Sequence, residues 1–174
     1  MGDHPFSLPM RAFEILRKAS RLQAVKNTGL NETRTLDAFE DISSTAALLL
    51  KAPVAQVTLM DEFKQFIKSS AGYDIKEAPT ATSFCAVAIA AEEDVTIVLD
   101  TLKDPVFKHS PFVVEPPHVR FYAGSPILFE GEKVGTVCIY DFEPRNHVSD
   151  ENIEFLAKLA NEAAAAIEES QIHP

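Results

Sequence analysis

Residues 119–141 read VRFYAGSPILFEGEKVGTVCIYD, two apolar runs on either side of Glu130-Gly131-Glu132. Gly131 supplies the positive φ that a tight reversal needs, so the stretch predicts a β-hairpin of two long strands. In the first run Val119, Phe121, Ala123, Ile127 and Phe129 alternate with Arg120, Tyr122, Gly124 and Leu128. The second run, residues 134–140, is apolar on both faces apart from Thr136. A strand apolar on both faces has to be covered on both. The hairpin therefore belongs in mid-sheet, with helices or a partner on each side. Pro126 brings no N–H to the ladder and predicts a bulge or break in the first strand.

Outward from the hairpin, the patterns alternate between helix and strand. Upstream, Ser83 predicts a cap for a helix from Phe84 to about Ala91, and residues 95–99 form a β-branched strand ending at Asp100. Residues 101–117 carry Pro105, Pro111, Pro116 and Pro117 and read as irregular, with one short helical turn. Downstream, Ser149 caps the last helix, with Asp150 and Glu151 in its first turn. Ile153, Leu156, Ala160, Ala163 and Ile167 make one stripe; Phe155, Leu159 and Ala166 belong to a second, which suits a partner helix. At the other end residues 1–8 have no period. Pro9 opens a helix with Ala12, Ile15, Leu16, Ala19 and Leu22 on its apolar side and Arg11, Arg17, Lys18, Arg21 and Lys26 on its polar side. Asn27-Thr28-Gly29 stops it. Thr33 or Thr35 caps a second helix with Leu36, Phe39, Ile42, Ala46 and Leu50 as its stripe. Strands at 54–60 and 64–70 follow, with residues 72–80 as loop. This order is α+β with a mostly antiparallel sheet.

Composition narrows the function. The 174 residues are 46% hydrophobic, enough for one domain with a full core. A net charge of −10 offers no basic stripe for nucleic acid or an anionic membrane surface. No apolar run approaches the ~20 residues of a membrane span, and no secretory signal opens the chain. Two cysteines far apart in sequence, Cys85 and Cys138, fit free thiols in a reducing compartment, and the expected location is cytoplasmic.

Four blocks then carry a resemblance: SFCAVAI (83–89), VTIVLDTLKDPVF (95–107), VRFYAGSPI (119–127) and GTVCIYDFEPR (135–145). In this order, with Leu59-Met60-Asp61 and the segment 35–42 ahead of them, they resemble the GAF domain family. The subgroup is that of bacterial signalling proteins, found upstream of histidine kinases, diguanylate cyclases and phosphodiesterases. The resemblance covers residues 21–167. It divides the chain into an N-terminal helical extension at 1–20, a GAF domain at 21–168 and a tail at 169–174. It implies a PAS-related central antiparallel sheet of about six strands. N- and C-terminal helices would lie on one face and a lidded pocket on the other, with residues 83–117 as its cover. It also implies a homodimer through the terminal helices, a small-molecule ligand of unknown identity, and a kinase or cyclic-dinucleotide effector domain as partner. Two positions depart from the subgroup: Val87 stands where a histidine is usual and Val106 where an arginine is usual, removing polar groups from the implied pocket side.

The candidate ligand-binding residues are Phe84, Cys85, Asp100, Asp104, Phe107, Phe112, Arg120 and Tyr122. Each also has a structural reading. Cys85 near a capped helix start is either an activated thiol or a small buried hydrophobe. Cys138 reads as core. Asp100 and Asp104 either rim the pocket or cap the loop backbone. Arg120 either clamps an anion or pairs with Asp100 or Asp104. Tyr122 either offers its hydroxyl or packs. His109, His118 and His147 have no metal spacing, and two aspartates are too few for a calcium loop. Neither cysteine is followed by histidine, as in bilin-binding members. The cysteine cluster of free methionine sulfoxide reductases and the cyclic-nucleotide signature of the family are also not recognisable. The sequence therefore predicts a non-catalytic, small-molecule-sensing domain of a signal-transduction protein, such as a two-component system. The alternatives are a small redox enzyme using Cys85, or a dimerisation module whose pocket is filled. It is expected to be a fragment of a larger signalling protein or a stand-alone regulator.

Overall fold

The computed structural model describes residues 6–30 and 33–173; most of the unpatterned stretch at residues 1–8 lies outside them. Six strands form one sheet. In chain order they are β1 (Val54–Met60), β2 (Lys64–Ala71), β3 (Glu77–Pro79), β4 (Thr96–Val98), β5 (Phe121–Phe129) and β6 (Glu132–Asp141). The spatial order is β3-β2-β1-β6-β5-β4, with every pair antiparallel. The predicted hairpin is β5–β6, and both its strands are interior. Glu130 and Gly131 both take positive φ, 53° and 77°, the pair of left-handed residues that a two-residue hairpin turn requires. The predicted irregularity is displaced from Pro126, which pairs with Thr136. The register slips between Ile127 and Leu128 and leaves Val134 as the extra residue. The strand β4 stops opposite Gly124, so Pro126 lies where β5 has no neighbour on its other side.

The helices are α1 (Met10–Leu16), α2 (Ala19–Asn27), α3 (Asp37–Leu49), α4 (Phe84–Ala90), α5 (Pro111–Val114) and α6 (Asp150–Ile172). On one face of the sheet α3 and α6 cover Ala55, Val57, Leu59, Phe121, Ala123, Val137 and Ile139. The second stripe of α6 is not left for a partner: Leu159 is buried in this core, and Phe155 and Ala166 pack against it. On the other face Met60, Tyr122 and Cys138 meet α4, Phe107 and Val113; α1 adds Ala12 and Leu16, and the segment before it adds Leu8. Val119 precedes β5 and joins this second cluster, against the alternation read from sequence.

Other local readings change as well. The single N-terminal helix is two, broken at Arg17-Lys18, and Arg21 is not on a polar face. It is 1% exposed and folds back to donate from Nε and Nη2 to the Leu16 carbonyl, 3.1 and 3.0 Å, while Nη1 reaches Met60 O and Lys133 O. No side chain caps α3; Thr35 donates instead to the Lys68 carbonyl at 2.9 Å. Residues 72–80 include the short edge strand β3. Residues 101–117 hold two 3-10 turns, Thr101–Lys103 and Phe107–His109, besides α5. The caps at Ser83 and Ser149 form as read, accepting from Cys85 N and Asn152 N.

Candidate functional site

The face of the sheet away from α3 and α6 carries an alternating polar set. On β1 it is Gln56, between Ala55 and Val57, and Thr58, between Val57 and Leu59; on β6 it is Thr136, Cys138 and Tyr140; on β5 it is Tyr122. Over it, the first turn of α4, α5 and the residue 73–78 segment enclose a cavity of about 50 Å³. Its floor is Gln56, Gln65, Ile67, Tyr122, Cys138 and Tyr140. Its cover is Phe84 and Cys85 from α4 with the cap residue Ser83, Phe112, Pro117 and Val119 from the connector, Tyr73 and Ile75 from the segment joining β2 to β3, and Ala78 from β3. None of these side chains is an acid, a lysine, an arginine or a histidine.

Of the residues predicted from sequence, Phe84, Cys85, Phe112 and Tyr122 line this cavity. Asp100, Asp104, Phe107 and Arg120 do not. Asp100 accepts from Leu102 N and from Arg120 Nη2, both at 3.1 Å, so its capping role and the ion pair coexist. Asp104 accepts from the N–H groups of Val106 and Phe107 at 2.9 Å. Phe107 supports the cavity from behind, its ring edge-on to Phe84 at 4.5 Å between centroids. Neither Val87 nor Val106 lines the cavity. Their departure from the family pattern therefore removes nothing from its walls. Among the described residues no cluster of potential metal ligands exists.

The sequence reading missed Gln56, Gln65, Cys138 and Tyr140. A signal was present: in residues 54–60 and 134–140, polar or sulfur-bearing residues fall on alternate positions, one face of each strand. Their meeting depends on register. Cys138 pairs with Gly124 on one side and Gln56 on the other. Gly124 leaves room for the Tyr122 ring to lie as it does, because a Cβ there would lie 2.2 Å from the Tyr122 hydroxyl and push it aside. That space lets the Tyr122 O–H donate to Cys85 Sγ at 3.2 Å. The Cys85 and Cys138 sulfurs are 3.7 Å apart. Ser83 Oγ donates to Gln65 Oε1 at 2.6 Å, and Gln56 Nε2 donates to Tyr140 Oη at 3.1 Å.

This surrounding sets the acidities. Burial pushes the Cys85 thiol up, but hydrogen bonds from Cys138, Thr136, Tyr122 and Gln65 outweigh it and bring the pKa down to about 6. Cys138 moves well above its ordinary value, through its bond to Cys85 and its burial. The pair thus holds one negative charge, on Cys85, far more readily than two. Burial, then the nearby Cys85 charge, also raises Tyr122, which stays a donor.

A profile of the GAF domain family matches residues 34–167. A cyclic di-GMP phosphodiesterase of Pseudomonas aeruginosa is 35% identical over 149 residues, 85% of this chain. The chain spans about a quarter of that relative's length, 25%. Among solved structures, the GAF domain of a phosphoenolpyruvate-protein phosphotransferase from Coxiella burnetii superposes with a TM-score of 0.65 at 19% identity, covering 94% of this chain and 96% of that one. A type II free methionine-R-sulfoxide reductase from Thermoplasma acidophilum gives 0.59 at 17%, covering 76% and 93%. These two likenesses bear on the fold alone. Among the described residues, no helix is long and apolar enough to cross a membrane. With the family profile spanning all six strands and the helices α3 to α5 and most of α6, this chain belongs to the GAF domain family.

Proposed function

We propose that this chain is the non-catalytic sensory domain of a signalling protein and that its cavity takes a small, uncharged molecule. The observation that carries the reading is the cavity wall. It combines amide, hydroxyl, thiol and aromatic groups with no basic side chain, and the one group there that ionises, the Cys85 thiol, becomes negative. A phosphate or carboxylate entering it would lose its hydration and meet no cation. At about 50 Å³ it offers room for a few waters, well below the ~300 Å³ of a drug-sized site.

Binding would act through α4. That helix supplies Phe84 and Cys85 to the cavity and packs against α1 in the same core. A ligand that prefers one seating of α4 would shift α1 with it, and only such a preference can transmit a signal. The output is an effector elsewhere in the signalling protein, and a cyclic-dinucleotide phosphodiesterase is the candidate the Pseudomonas relative suggests. A homodimer through the terminal helices is part of the reading; Met10 on α1 and Ile172 on α6 are exposed apolar side chains available to it.

A thermal-shift screen tests this, with small neutral amides, alcohols and phenols against nucleotides and organic acids. A neutral compound at a hundred times its Kd should stabilise by about 2.7 kcal/mol, roughly 5–10 °C for a domain of this size. A shift by anionic nucleotides alone would overturn the reading. No shift by any compound would favour a dimerisation module with a filled pocket.

A further inference from the structure

The two cysteines lie 53 residues apart in sequence, yet α4 and β6 bring their sulfurs to 3.7 Å in the cavity wall. Nothing separates them, and the Tyr122 hydroxyl contacts Cys85 from the side. We propose that Cys85 and Cys138 form an intramolecular dithiol that hydrogen peroxide admitted to the cavity converts to a disulfide. Three features favour this chemistry. The sulfurs belong to two different elements, so a bond between them ties the cover to the floor. Walls with no acid, lysine, arginine or histidine beside the two sulfurs, and a volume of about 50 Å³, suit hydrogen peroxide, which is uncharged and has only two heavy atoms. The Tyr122 O–H, with Cys138 S–H beside it, stabilises negative charge on Cys85 rather than on Cys138, which makes Cys85 the attacking sulfur.

The steps balance. The Cys85 thiolate attacks one oxygen of hydrogen peroxide; an S–O bond forms, the O–O bond breaks, and the leaving hydroxide takes up the proton that the Cys85 thiol released on ionising, as water. Cys138 sulfur then attacks the Cys85 sulfenic acid. An S–S bond forms, the S–O bond breaks, and the departing hydroxide takes the Cys138 proton as a second water. Overall two thiols and one peroxide give one disulfide and two waters. Bond formation draws the first turn of α4 towards β6, and α1, packed on α4, is the element placed to respond. The proposal does not require the cavity to hold a sensed ligand, and failure of the thermal-shift screen would leave it standing.

The test uses the whole reduced chain, titrated with hydrogen peroxide while folded. Free thiols are then counted after denaturation and peptides mapped without reduction. Both thiols should disappear together, one peroxide per pair, giving a peptide cross-linked between Cys85 and Cys138 that dithiothreitol releases. In Cys138→Ser, dimedone added with the denaturant after peroxide treatment should label Cys85; in Cys85→Ser, Cys138 should remain a free thiol at the same peroxide. The wild-type map decides alone if either variant fails to fold. Oxidation of Cys85 to sulfinic acid without linkage, disulfides only between chains, or thiols that react only after unfolding would each overturn the proposal.

Discussion

Replacing Arg21 by methionine tests how the cover is anchored. The guanidinium makes four hydrogen bonds to three carbonyls, at Leu16, Met60 and Lys133, between 2.8 and 3.2 Å. Among the described residues no carboxylate touches it, and burial presses its pKa down to about 10 against the pull of Asp61 and Glu132. Methionine keeps most of the volume and removes every donor. The Leu16 and Met60 bonds are buried and the Lys133 bond is partly so. At about 1–3 kcal/mol for each of the three stranded carbonyls, the loss is roughly 3–9 kcal/mol, towards the lower end because the Lys133 carbonyl is only partly buried. Part is recovered because a charge no longer has to be buried, leaving about 3 kcal/mol. Urea unfolding followed by circular dichroism reads this directly. With a slope of about 2 kcal/mol/M, the midpoint should fall by roughly 1.5 M, and Arg21→Lys should lie in between. An Arg21→Met midpoint within about 0.3 M of wild type would refute the reasoning, because these carbonyls would then have to find other donors.

Other outcomes follow from the same geometry. Gly135→Ala places a Cβ 1.9 Å from the Thr58 carbonyl oxygen in the neighbouring strand. It should destabilise by about 1–3 kcal/mol in the same urea assay. Gly124→Ala should instead displace the Tyr122 hydroxyl and raise the apparent pKa at which iodoacetamide alkylates Cys85. Relative to Cys85→Ser, wild type should gain stability as pH climbs from about 6 towards 9. The Cys85 pKa is depressed in the fold from its ordinary 9.0, so across that window the unfolded chain binds more protons. The gain disappears as pH falls through 6, which melting temperatures across pH will show. Glu130→Asn relieves a non-glycine residue at φ 53° in the hairpin turn. It should raise Tm by about 1–2 °C, as for roughly 0.5 kcal/mol.

The hairpin, the helical stripes of α3 and α6 and the caps at Ser83 and Ser149 were legible because each depends on residues close in sequence. Periodicity and turn chemistry determine such elements before any long-range contact forms. Half of the predicted site was legible for the same reason: Phe84, Cys85 and Phe112 open their short helices, and Tyr122 lies on the polar face of its strand. What only the tertiary structure decided was which distant residues share a space. Arg21 read as a solvated charge because nothing in its neighbourhood announces carbonyls from residues 60 and 133. Cys138 read as core because its partner is brought by α4, and their meeting depends on strand register and on the room that Gly124 leaves for Tyr122. Local pattern fixes the face on which a side chain stands; packing of one element on another fixes what it touches.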